Sequence, residues 1–352
     1  MPNPFFDGIR IPWTRDEVRA LHKALYTTPT LQTRTAIMRF YVLAGDDLEP
    51  LKEDSPRTMW GEALDKLATA RRLEEFCRLL LQDNAYVAIH DAIRAVQSAK
   101  DATEHVVLSD DRLFLDRQQL RDKLQRLMKS RTRRVLLVRG ARNCGKTWTQ
   151  YMVADLADSR GEMCIYLNED NVRNRSGLFE HLFLTIGGAG AKWPEQTETE
   201  EAWYQRVCTN LIPHAEKKGP WWIVVDDLGI GDDGPHFDPE IKNFFDQFAL
   251  AMKNPAFAQW FRLILIDYPE GRLPTRWSDF WEEDRPDPAH LDDKAISRFV
   301  LDWAQRQNKQ LGPDDADRFA KQVLTAVETA ADSEKSRLQS VHDAIVQALN
   351  KL

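Results

Sequence analysis

The chain has 352 residues, of which 43% are hydrophobic and 29% charged, and it carries a net charge of −7. This composition fits a soluble globular protein with room for two or three domains. No stretch approaches the length of a membrane span, and the acid excess argues against nonspecific nucleic-acid binding as its main activity while leaving room for a local basic patch. The N-terminal stretch MPNPFFDGIRIPW lacks a basic region followed by a long apolar core, so no signal peptide is expected. Cys77, Cys144, Cys164 and Cys208 lie too far apart for a zinc spacing or a disulfide framework. A reducing cytoplasm is the simplest expectation.

The first part, to about Val96, reads as an all-helical bundle, with an expected domain over 1–97. Thr14 and Glu17 suggest a capping box, with Trp13 and Val18 as the staple across it. Val18, Leu21 and Leu25 then share one helical face, and Pro29 marks a break. Further helical spacing runs through Thr35 to Leu43, Trp60 to Ala70 and Leu73 to Gln82, with a polar connector from Asp46 to Thr58. His22 and His90 are single and sit on helical patterns, so structural roles are expected. Residues 98–111 are small, polar or charged and read as a linker. An amphipathic helix follows. Its tail KSRTRR is read either as a solvated helix end complementing the dipole, or as a contact for a nucleotide or an acidic partner.

From residue 112 to 285 short apolar runs alternate with longer amphipathic ones, which implies a parallel sheet flanked by helices. The expected strands are Val135 to Val138, Met163 to Leu167, Trp221 to Val225 and Phe261 to Ile266. The first runs into Gly140, Ala141, Arg142, Asn143, Cys144, Gly145, Lys146 and Thr147, the pattern G-x-x-x-x-G-K-T of a Walker A loop, and a helix is expected from Trp148. Gly140 and Gly145 let backbone N–H groups close on phosphate oxygens. The helix N-terminus points its positive end at the same anion. Lys146 is placed to reach the β- and γ-phosphates and Thr147 to ligate Mg²⁺. Cys144, beside Lys146 at a helix start, is expected to favour its thiolate.

WWIVV ends on Asp226 and Asp227, the Walker B arrangement. Asp226 is read as the holder of the Mg²⁺ shell and Asp227 as the group that acts on the attacking water. Its strand is expected beside the glycine-loop strand. FRLILI ends on Asp267, where a polar residue senses a γ-phosphate, and Arg272 and Arg276 are candidate arginine fingers or surface residues. No NKxD-like guanine reader is present, so ATP is expected over GTP. After Pro286, residues 286–352 form a C-terminal helical subdomain, with helical spacing over Ala295 to Gln307, Asp314 to Thr329 and Ser333 to Leu352. No fixed-period repeat is evident.

GARNCGKT with WWIVVDD, FRLILID and a helical tail resembles the AAA+ and STAND branch of P-loop ATPases over roughly residues 112–310. FLDRQQL resembles the motif preceding the first strand in STAND proteins, which implies that Arg117 lies near the adenine. Asp116 stands where the family has glycine. Val341, His342 and Asp343 are similar to a histidine-aspartate motif that holds ADP in some STAND proteins. WTRDEVRALHKAL and MWGEALDKLATARRLEEFCRLLLQDN are similar to bacterial effector-associated domains, type one, which are death-domain-like adaptors of defence systems that pair like with like.

These resemblances imply an ATP- and Mg²⁺-dependent switch of a bacterial conflict system, with slow hydrolysis. Its implied partners are an effector with a matching helical domain and, on ATP binding, further copies of the chain. Nucleic acid is not expected as a partner. Two other functions remain open from the sequence: an AAA+ ATPase acting on DNA as a loader or transposition regulator, and an adaptor in which bound ATP is structural and not hydrolysed.

Overall fold

A computed structural model describes residues 3, 5–6, 10–13, 15–45, 50–52, 54–98, 108, 112, 114, 117–130, 132–141, 144–168, 172, 174–188, 191–226, 230–231, 234–235, 239–268, 280–287, 291–307, 309–329 and 337–349. The fold divides into two compact units. One comprises Met1–Ala102 with Leu156–Met163, and the other Thr103–Asp155 with Cys164–Leu352.

The first unit contains α1 (Asp16–Thr27), α2 (Arg34–Ala44), α3 (Pro56–Thr69), α4 (Leu73–Gln82) and α5 (Val87–Ser98). The predicted face of α1 is buried as Val18, Leu21 and Leu25. The helix begins one residue later than the capping box requires: Arg15 is the N-cap and makes no side-chain cap. Glu17 pairs with Arg15 instead, while Thr14 lies outside the described residues. Trp13 donates its Nε1–H to Asp65 Oδ1 at 3.1 Å. The Asp46-to-Thr58 connector is shorter than expected, because Ser55 caps α3 by accepting from the Thr58 N–H and Pro56 occupies its first turn. Trp60, fully buried, donates its indole N–H to the Leu31 carbonyl at 3.0 Å. A buried indole needs such a partner. His22 and His90 each bond a backbone carbonyl, of Arg57 at 2.9 Å and of Leu80 at 3.1 Å.

In the second unit, α6 (Gln118–Lys129) precedes β1 (Val135–Val138), and α7 (Trp148–Ser159), whose last turn is counted with the first unit, follows that strand and its loop. Then come β2 (Met163–Leu167), α8 (Arg175–Leu182), α9 (Glu200–Lys218), β3 (Trp221–Val225) and the short antiparallel pair β4 (Ile230–Gly231) and β5 (Gly234–Pro235). Next are α10 (Pro239–Ala251), α11 (Pro255–Ala258), β6 (Phe261–Ile266), β7 (Trp281–Asp284) and the terminal helices α12 (Asp293–Arg306), α13 (Pro313–Thr329) and α14 (Arg337–Leu349). The sheet order is β2-β3-β6-β1-β7. β6 pairs in parallel with both β1 and β3, and β7 pairs in parallel with β1.

Every residue of β1, β3 and β6 is buried, as expected of central parallel strands covered on both faces. On one face Val135, Leu137, Ile223 and Leu263 join an aromatic core with Phe179, Trp203, Tyr204, Phe244 and Phe248 from α8, α9 and α10. The C-terminal helices have a core of their own around Ile296, Phe299, Phe319, Val323, Val341 and Ile345. The fold is therefore α/β, a parallel sheet flanked by helices in the arrangement of a P-loop NTPase, together with a helical bundle and a C-terminal helical subdomain.

The four expected strands are β1, β2, β3 and β6 within the same bounds. One expectation is corrected. β3 does not neighbour β1, because β6 lies between them and bonds to both. The strand β7 has no counterpart in the sequence reading. The last helix is described over Arg337–Leu349, and its expected start at Ser333 falls in residues 330–336, outside the described residues.

Candidate functional site

β1, β6 and β3 all point their C-terminal ends toward the same edge of the sheet, where ligands of open α/β sheets bind. Each delivers one element of the predicted site there. β1 leads into the glycine loop, β3 is followed directly by Asp226, and β6 by Asp267.

The loop carries the backbone geometry its glycines suggest. Gly145 has φ 88°, in the left-handed region that a side chain disfavours. A Cβ on Gly140 would stand 2.8 Å from the Cys144 sulfur, closer than packing allows. Tight turns lead into α7: the N–H of Trp148 bonds the Gly145 carbonyl at 3.2 Å, and that of Thr149 bonds the Lys146 carbonyl at 2.9 Å.

Lys146 is nearly buried and folded over the loop. Its Nζ donates to the carbonyls of Gly140 at 3.0 Å and Ala141 at 2.7 Å. It also pairs with Asp267 Oδ1 at 3.3 Å. Asp267 itself has φ 55°, and its N–H bonds the Val138 carbonyl at 2.9 Å, extending the β1–β6 ladder. Asp226 is 4% exposed, with its Oδ2 accepting the Tyr166 hydroxyl at 3.0 Å and its N–H bonded to the Leu167 carbonyl at 2.9 Å. β2 thus orients the carboxylate of its neighbour β3. Thr147 is exposed and Trp148 half-buried. The Trp148 ring lies 5.6 Å from the His342 ring of α14, centroid to centroid. Arg142, Asn143, Asp227, Arg272 and Arg276, as well as Asp116, lie outside the described residues.

The thiolate expectation for Cys144 is corrected. Burial pushes its thiol pKa up, and the opposing pull of Lys146 and Arg117 does not cancel it. The side chain is wedged beneath the turn rather than offered to solvent.

The sequence did not signal Asp284 as a site residue. It is 1% exposed at the end of β7. Its Oδ2 accepts from Arg117 at 2.5 Å and its Oδ1 from Lys123 at 3.0 Å. The same Arg117 guanidinium donates to the Gly145 carbonyl at 3.0 Å and to Thr149 Oγ1 at 3.3 Å. Arg117 thus ties the glycine loop to β7, and it does so from a left-handed backbone (φ 63°) at the start of α6. Backbone strain of this kind persists where surrounding contacts over-determine it.

The other acids of β7 are matched in the same way. Glu282 pairs with Arg126 at 3.0 Å and Arg133 at 2.6 Å, and Glu283 with Arg139 at 3.5 Å and Arg285 at 2.6 Å. The acidic partner of the KSRTRR tail is therefore β7 of the same chain for Arg133, and Arg134 donates to the Leu127 carbonyl at 3.0 Å. The Glu282 pKa is lowered: burial raises it, and the hydrogen bonds from the two arginines outweigh that.

No family model and no curated protein matches the chain. Solved structures that resemble it include Cdc6p from Pyrobaculum aerophilum, 17% identical over 70% of this chain and 63% of that one, with a TM-score of 0.40. A Walker-type ATPase of Pyrococcus abyssi is 13% identical over 70% of this chain and 75% of that one, with a TM-score of 0.37. AMPPCP-bound DnaA from Aquifex aeolicus is 16% identical over 67% and 61%, with a TM-score of 0.34. The chain thus spans less than two thirds of the length of the first and third of these.

Proposed function

We propose that the chain binds Mg-ATP at the turn between β1 and α7, hydrolyses it slowly, and uses the cycle as a switch. One observation carries this reading. A buried lysine is folded over a glycine turn that has the Walker A sequence, with a carboxylate from each of two further parallel strands at the same sheet edge.

In this reading Lys146 neutralises the β- and γ-phosphates, and the N-terminus of α7 receives the phosphate charge. Thr147 and Asp226 hold Mg²⁺. A hydroxyl and a carboxylate are the hard oxygen donors that Mg²⁺ takes while keeping water and phosphate oxygens, and the burial of Asp226 under the Tyr166 hydroxyl fits that role. When bound, the ion supplies charge neutralisation to the phosphates. Asp227 orients or deprotonates the attacking water, and Arg272 or Arg276 acts as a finger in the same or a neighbouring copy. The ring contact between His342 and Trp148, the residue after the loop threonine, supports a C-terminal subdomain that responds to nucleotide.

The finer reading rests on the resemblance of the motifs. The switch belongs to a bacterial defence system in the AAA+/STAND manner. Its N-terminal helical domain, death-domain-like, recruits an effector carrying a matching domain, and ATP promotes assembly of copies. The DNA-loader alternative is disfavoured by the net charge of −7, and in the basic tail after α6 Arg133 already pairs with Glu282. Phosphate release from Mg-ATP by the full chain tests the reading. Turnover that is lost in Lys146→Ala supports a hydrolysing switch. Bound nucleotide with no release at all would instead make the chain a nucleotide-holding adaptor.

A further inference from the structure

The Lys146–Asp267 pair has a consequence for which nucleotide the site keeps. An ammonium has three N–H donors. In Lys146 they face the Gly140 carbonyl at 3.0 Å, the Ala141 carbonyl at 2.7 Å and Asp267 Oδ1 at 3.3 Å. The lysine that a terminal phosphate needs is thus already shared with an anion of the protein. Asp267 does not reach this place by accident of a flexible rotamer alone. Its backbone is pinned by the bond from its N–H to the Val138 carbonyl, at the same strand end from which the glycine loop departs.

A β-phosphate and a γ-phosphate meet this carboxylate differently. A diphosphate that takes the place of the loop carbonyls on Lys146 would leave Asp267 where it is, so that the ammonium would bridge one phosphate and one carboxylate. A triphosphate brings further negative charge to the Asp267 side. Its γ-phosphate must either displace Asp267 from Lys146 or lie beside it with only water or metal between, and like charges in a partly buried site repel strongly. The Asp267 side chain is about one third exposed, so screening reduces the repulsion without removing it.

We propose that Asp267 is a specificity-determining residue that biases the site toward a nucleoside diphosphate and against the triphosphate, by competing with the γ-phosphate for Lys146. This rests on the nucleotide reading of the loop given above. It differs from a sensor role, in which the residue at the end of β6 would help the γ-phosphate.

The test compares ADP and adenylyl-imidodiphosphate binding to the full chain and to Asp267→Asn, by calorimetry with and without Mg²⁺. Asparagine keeps the size and tolerates a left-handed backbone. Asp267→Gly is the second variant, which removes the carboxylate and accepts φ 55° without strain. Equal thermal midpoints confirm that the variants fold. We expect the triphosphate-to-diphosphate affinity ratio to rise at least roughly tenfold in both variants, the factor that corresponds to 1.4 kcal/mol. The rise should be larger without Mg²⁺ than with it. A ratio that moves less than twofold, or a weakened triphosphate, overturns the proposal. Wild-type protein that binds neither nucleotide overturns the loop assignment itself, which is a separate outcome.

Discussion

Asp284→Asn removes one charge from the end of β7, and its effect can be worked from the structure. The carboxylate is 2% exposed and holds two cations, Arg117 at 2.5 Å and Lys123 at 3.0 Å, each about 14% exposed. Removing one partner of a buried pair costs about 3–5 kcal/mol, because the remaining charge is left uncompensated. Here two cations are left, but both reach some water, so about 2–4 kcal/mol is the expected loss. In a unit of roughly 240 residues each kcal/mol moves the thermal midpoint by about 2–4 °C. Scanning calorimetry of the full chain should therefore show a drop of about 10 °C in the transition of the unit that holds the sheet. Arg117→Ala should couple to this change, since its guanidinium also bonds the Gly145 carbonyl and Thr149. A double-mutant cycle should return a coupling of about 1–3 kcal/mol. A drop under roughly 1 °C, or additive single effects within about 0.3 kcal/mol, would refute the idea that β7 is anchored through this carboxylate.

Two further expectations concern titration and thiol chemistry. Because Glu282 has a folded pKa below its ordinary value, its contribution to stability is present above the unfolded pKa of about 4.3 and is lost as pH falls through the folded one. Glu282→Gln should therefore cost about 0.5–1 kcal/mol at pH 7, the modest size reflecting the half-exposed arginines, and the deficit should shrink below roughly pH 4 in chemical denaturation. A deficit that grows toward acid would contradict the sign. As for the cysteines, burial pushes the thiol of Cys144 up and that of Cys164 up to about 12, and Cys77 and Cys208 are raised as well. The native chain should react with a disulfide reagent at pH 7.5 far more slowly than a free thiol, with all four groups appearing on denaturation. Rapid labelling of Cys144 in the native chain would restore the thiolate expectation.

Three of the four strands legible in the sequence, β1, β3 and β6, are buried on both faces and read as continuous apolar runs such as VLLV and FRLILI, and β2 was legible from its apolar run although only Ile165 and Leu167 in it are buried. The loop was legible for a different reason: its glycines and lysine follow a spacing set by phosphate geometry. What stayed hidden depends on pairing across long sequence distances. WEED carries no apolar run of the kind that marks the other strands, yet it forms β7, where Arg117, Lys123, Arg126 and Arg133, more than 140 residues earlier, meet its carboxylates. The order of strands was hidden for the same reason, since nothing in WWIVV tells that FRLILI will lie between it and VLLV. At the start of α1, Thr14 and Glu17 have the spacing of a capping box, but Arg15 takes Glu17 first. Local spacing identifies candidates there, and the ion pair decides among them.

Titration calorimetry of Mg-ATP onto the intact chain, side by side with Lys146→Ala, puts the loop assignment at greatest risk. The lysine is held at the glycine turn by two carbonyls and has little water to compensate its loss. Saturable one-to-one binding that weakens by at least roughly tenfold in the variant is the expected outcome, consistent with the loss of a charge-assisted contact. Equal affinity in the two proteins would mean that the glycine turn between β1 and α7 does not hold the phosphates.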